Sequence, residues 1–76
     1  MSINVQLCYI NGEIKDLEIS LSETIGERKI KENQENAVWK WDGIILKNEK
    51  EFGFYGIEAN DVIYSSHKNT GGWVIK

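Results

Sequence analysis

Ile3, Val5, Leu7 and Tyr9 alternate with Asn4, Gln6 and Cys8, which is the period of a half-buried strand. Asn11-Gly12 then supplies a tight-turn signal, and Leu17, Ile19 and Leu21 alternate again with Asp16, Glu18 and Ser20. The segment therefore predicts a β-hairpin. Parity constrains its turn. A two-residue loop at Asn11-Gly12 would set Leu7 opposite Asp16 and Val5 opposite Glu18, placing carboxylates on the core face. One further loop residue, with Gly12 left-handed as a bulge, pairs Leu7 with Leu17 and Val5 with Ile19, and this bulged turn is the expected one.

Thr24 followed three residues later by Glu27 has the spacing of a capping box and marks a helix start. The expected helix covers 24–33. Its body is less regular, because Ile25 and Ile30 are five residues apart and Gly26 lowers helix propensity by about 1 kcal/mol relative to Ala. The polar stretch 32–35 reads as a loop. Trp39 and Trp41 then alternate with Val38 and Lys40, Asp42-Gly43 makes a turn, and Ile44, Ile45 and Leu46 follow as a short strand, a second hairpin. Phe52, Tyr55 and Ile57 read as a compact turn feeding apolar groups into the core, and 61–66 as a last strand. The order strand, strand, helix, strand, strand, strand is an α+β arrangement.

Composition bounds the function. Seventy-six residues are room for one small domain, near the lower limit for folding without a staple. One Cys and one His cannot make an internal disulfide or a closed tetrahedral zinc site. Stability must come from burial, for which 41% hydrophobic residues including three Trp are adequate. The net charge of −3 argues against gripping phosphate backbones, so no nucleic-acid partner is expected. No apolar run approaches a membrane span and no basic leader precedes an apolar segment, so no membrane role is expected. The chain reads as cytoplasmic, with a reduced thiol.

The order and spacing of these elements resemble the β-grasp fold of ubiquitin and the ubiquitin-like proteins. The residues that carry the resemblance are Thr24-Ile25 at the helix start, 39–43 with its Asp42-Gly43 turn followed by Leu46, and Phe52, Tyr55 and Ile57 leading to Ile63. The resemblance implies a mixed sheet of four to five strands packed on one short helix. It implies a domain over 1–68 and a flexible tail over 69–76. From Tyr55 onward the match to ubiquitin runs without a gap, so Gly71-Gly72 falls where the family's terminal Gly-Gly lies.

The Gly pair has chemical content. A modifier activated through its C-terminal carboxylate must thread a narrow channel and present an unhindered acyl group to a thiol, and residues without Cβ meet that need. Trp73, Val74, Ile75 and Lys76 follow the pair, so the resemblance implies a precursor cut between Gly72 and Trp73 by a dedicated peptidase. The implied partners are activating and conjugating enzymes, the peptidase and target proteins. The protein itself is expected to be a monomer, no enzyme, and to use no cofactor or metal. A ubiquitin-fold adaptor that is never conjugated is the alternative. A sulfur carrier of the same fold usually ends at its Gly pair, which argues against that third reading.

Departures from ubiquitin carry information too. Lys68 falls where ubiquitin has an arginine read by its activating enzyme; Lys keeps the charge and loses the planar fork. The centre of ubiquitin's apolar recognition patch falls on Lys40, and two further positions of that surface fall on Tyr64 and Ser66. A polar face and dedicated partners are therefore expected. The lysines most used for ubiquitin chains fall on Ile44 and Ala59. Trp39 and Trp41 fall on apolar family positions and are expected in the core. Cys8 and His67 lie on strands that neighbour each other in such a sheet, which admits a dyad on paper, but no oxyanion donor or third orienting residue accompanies them.

Overall fold

A computed structural model of the chain describes residues 1–67. The expected strands and helix are present as β1 (Ser2–Cys8), β2 (Ile14–Ser20), α1 (Ile25–Lys31), β3 (Ala37–Trp41), β4 (Ile44–Ile45) and β5 (Val62–His67), and the segment expected as a compact turn forms a second, four-residue helix, α2 (Phe52–Tyr55). The five strands form one mixed sheet in the order β2-β1-β5-β3-β4. β1 and β5 are parallel at its centre, and the remaining pairs are antiparallel.

The first hairpin is bulged as expected, with a different register. Val5 pairs with Leu17 and Ile3 with Ile19, two residues away from the expected pairing of Leu7 with Leu17. The loop consists of Ile10, Asn11 and Gly12, closed by Tyr9 N–H donating to the Glu13 carbonyl at 2.8 Å and Gly12 N–H donating to the Tyr9 carbonyl at 2.9 Å. In a three-residue loop the left-handed residue comes last. Gly12, at φ +92°, therefore ends the loop, and the extra residue is taken from its N-terminal side. A slip of two keeps every side chain on its face, so Val5, Leu7, Leu17 and Ile19 are all buried.

The capping box is complete: Glu27 N–H donates to Thr24 Oγ1 at 3.2 Å and Thr24 N–H donates to Glu27 Oε1 at 3.1 Å. α1 ends at Lys31, earlier than the expected 33, and Asn33 takes the left-handed conformation at φ +59°. The irregular apolar spacing is resolved by exposing Ile30 and burying Lys29, which is only 4% accessible. Lys29 lies one turn after Ile25, on the core side, and its ammonium donates to Asn48 Oδ1 at 2.8 Å. Gly26 also has its reason here. Its N–H donates to the Asn48 carbonyl at 2.9 Å, and a Cβ on it would lie 3.1 Å from the Asn48 Cβ and 3.2 Å from that carbonyl oxygen. The helix costs some propensity at Gly26 to pack closely on the segment before α2.

Arg28 and Glu32 join an ion-pair cluster over β2. Arg28 reaches Glu23 at 3.6 Å and Glu32 at 3.4 Å, Lys31 reaches Glu23 at 3.4 Å, and Lys15 reaches Glu32 at 2.7 Å. The hydrogen bond to the Glu32 carboxylate, helped by its charge, raises the Lys15 pKa above the ordinary lysine value.

In the second hairpin Asp42 and Gly43 both have positive φ, 53° and 77°, the two-residue turn whose twist matches its strands. β4 is short, ending before the buried Leu46. Among the described residues Trp39 and Phe52 are the largest fully buried side chains, and they meet Leu7, Ile19, Ile25 and Ile63 in one core. Trp41, expected there too, is half-buried at its margin and donates from Nε1 to Asp61 Oδ2 at 2.9 Å. α2 is pinned from both sides: Gly53 N–H donates to the Leu21 carbonyl at 2.9 Å, and Tyr55 Oη accepts from Lys47 N–H at 2.8 Å.

Candidate partner-binding surface

Strand alternation sends Val5, Leu7, Trp39 and Ile63 to the core, so the neighbouring positions form the opposite, open face of the sheet. Register then assembles a row across all five strands. Ile14 lies opposite Cys8, Cys8 beside Tyr64, Tyr64 opposite Lys40, and Lys40 opposite Ile45. Of the residues expected to bind partners, Lys40 and Tyr64 are thus direct cross-strand neighbours. Ser66 lies two positions further along β5, opposite Val38. The remaining expected site residues, Lys68, Gly71, Gly72 and Trp73, lie outside the described residues.

The face is less polar than its ubiquitin-aligned positions implied. Tyr64 and Ile45 are each 57% accessible and Ile14 is 61% accessible, so the Lys40 stem lies between a phenol ring and an aliphatic side chain. Among the described residues Lys40 has no ion pair. Such a row can bury aromatic and aliphatic area around one ammonium, the combination that anchors protein contacts. The resemblance did not draw attention to Ile14 and Ile45. The available signal was parity: Ile14 is out of phase with Leu17 and Ile19, and Ile45 with Leu46.

Beside this row, where β5 runs toward its end, Tyr9, Ile10, Gln34, Ala37, Ser65 and Ser66 line a groove of about 350 Å³. The Ser65 hydroxyl donates to Gln34 Oε1, fixing the groove's floor to the loop after α1. The Cys8–His67 dyad admitted on paper is not supported by the register, which sets Cys8 beside Tyr64, about 10 Å along β5 from position 67.

Solved structures give the fold a second line of support. The chain is similar to a designed protein based on ubiquitin, with 18% identity over 93% of this chain and 94% of that one at a TM-score of 0.78. It is also similar to the ubiquitin-like domain of an Arabidopsis thaliana protein, with 20% identity over 91% of this chain and 80% of that one at a TM-score of 0.81. No protein-family model and no curated protein matches the sequence. At these identities the likeness establishes the fold alone. The chain has the α+β, ubiquitin-like β-grasp fold.

Proposed function

We propose that this chain is the precursor of a ubiquitin-like protein modifier, cut after Gly72 and joined through the Gly72 carboxylate to amines of target proteins. The observation that carries the reading is positional. β5 covers Val62–His67 of a β-grasp sheet, and in the sequence Gly71-Gly72 begins four positions after His67. A pair without Cβ at that distance suits passage through an enzyme channel to a thiol. The chain supplies the acyl group and the recognition surface; adenylation, thiol transfer and amide formation belong to its activating and conjugating enzymes. Lys68 is the residue proposed to be read during activation, Trp73 the first residue released by the peptidase. Lys40, Tyr64 and Ser66 are proposed to contact partners, with the protein working as a cytoplasmic monomer.

A second reading, a non-conjugated adaptor, is favoured by the exposed row containing Tyr64 and Ile45. The test is an N-terminally tagged chain expressed in its native cells, with Gly72→Ala alongside. Higher-mass, denaturant-resistant conjugates that disappear in the variant support conjugation. Equal patterns without conjugates, together with capture of partners that Tyr64→Ala abolishes, support the adaptor.

A further inference from the structure

β1 and β5 diverge before β5 ends. Their parallel register closes with Cys8 beside Tyr64, whereas β5 continues to His67, opposite Ala37 of β3. Beyond Tyr64 these registers pair β5 with β3 alone, and the turn at 9–13 stands across the gap. This wedge is the groove of about 350 Å³.

Its walls are amphipathic. Ile10 is 63% accessible, and Tyr9 and Ala37 add aromatic and aliphatic surface. Gln34 Oε1 accepts from the Ser65 hydroxyl, but among the described residues the Gln34 amide N–H groups have no partner. Glu13 is the one charged residue among those described at the groove, and among them it has no ion pair. A fitting occupant brings apolar area, a carbonyl for Gln34 and a cation for Glu13.

The chain carries such a segment within reach. Trp73, Val74 and Ile75 are followed by Lys76, and Trp73 is six residues beyond His67. Six residues span at most about 20 Å, and Gly71-Gly72 permits a reversal because glycine takes either sign of φ. A tether this short gives an effective concentration on the order of millimolar. A contact too weak to hold a separate peptide can therefore fill the groove from within the same chain.

We propose that the groove between the 9–13 turn and the end of β5 holds the indole of Trp73, folded back over Gly71-Gly72, with Lys76 beside Glu13. The peptide bond between Gly72 and Trp73 is then held against the domain. The docking stands whether or not the chain is conjugated. Its consequence, that removal of 73–76 opens the groove to a partner only in the processed form, rests on the modifier reading.

The test compares the full chain, labelled with ¹⁵N, with Trp73→Ser and Ile10→Asp; Ile10 is exposed, so its substitution leaves the core intact. The Trp73 indole N–H resonance, identified by its loss in Trp73→Ser, should lie away from its free-peptide position and show nuclear Overhauser contacts to Tyr9 and Ile10. Trp73→Ser should also shift the Gln34, Ala37 and Ser65 amides. Ile10→Asp should return the indole to the free-peptide position, and Ile10→Leu should not. Glu13→Gln should lower the docked fraction only about twofold, since an exposed ion pair contributes little. Chymotrypsin, cutting after Trp73, should release residues 74–76 severalfold faster from Ile10→Asp, read by mass. An indole at the free-peptide position in the unsubstituted chain, contacts to Lys40 and Tyr64 in place of the groove, equal release from both chains, or shifts that vanish on dilution, the mark of docking between copies, would each overturn the proposal. All of these measurements use purified chain, so their failure is distinct from a failure of processing in cells.

Discussion

Trp39 and Trp41 lie on one strand, and shortening each to Phe should reverse the order that burial alone suggests. Trp39 is fully buried, and its Nε1–H has no hydrogen-bond partner among the described residues. Trp39→Phe removes roughly 40 Å³, which at about 24 cal/mol per Å³ of cavity costs about 1 kcal/mol. Lost apolar contact adds about 1 kcal/mol. Against this, the substitution removes a buried, unsatisfied donor whose desolvation costs about 1–3 kcal/mol in the native protein. The net change is about zero. Trp41→Phe loses less packing because Trp41 is half-buried, but it also loses the 2.9 Å hydrogen bond to Asp61, and a bond to a charged acceptor is worth about 1.5–3 kcal/mol. It should destabilise by about 2 kcal/mol or more. The assay is denaturant unfolding followed by far-ultraviolet circular dichroism, since both variants change the fluorescence. A greater loss for Trp39→Phe than for Trp41→Phe would refute the reasoning and point to a partner for the Trp39 indole.

Two further outcomes follow from local geometry. Thr24→Ala and Glu27→Ala should each cost about 1 kcal/mol of stability, and the double variant less than their sum, because the two hydrogen bonds of the capping box are reciprocal; thermal melts of the three variants check this. The Lys15–Glu32 pair raises the Lys15 pKa in the folded state, so its stabilisation is complete below the ordinary lysine pKa and fades as pH rises through the raised value. Comparing the chain with Lys15→Met by denaturation across alkaline pH should give a constant difference near neutrality that closes only above the ordinary lysine pKa. A difference that closes near neutrality would contradict the assignment.

Most of the fold was legible from alternation and punctuation. Thr24 with Glu27, Asp42-Gly43, and the inward parity of Val5, Leu7, Leu17 and Ile19 each encode a local geometry that the whole fold agrees with. The register of the first hairpin was not, because Asn11-Gly12 marks a turn without saying on which side a third loop residue is added. The end of α1 was also illegible: Lys29 is buried through its bond to Asn48, nineteen positions away in sequence, and no helical periodicity reports that contact. At the candidate surface, the adjacency of Lys40 and Tyr64 came from the resemblance. The flanking Ile14 and Ile45 required the strand register.

The most direct test of the proposed modifier is the intact mass of the N-terminally tagged chain purified from its native cells. The expected species is a free form whose C-terminus is Gly72, lacking residues 73–76. A single species that retains Trp73 and ends at Lys76, unchanged by Gly72→Ala, would contradict processing and conjugation together and leave the adaptor reading in its place.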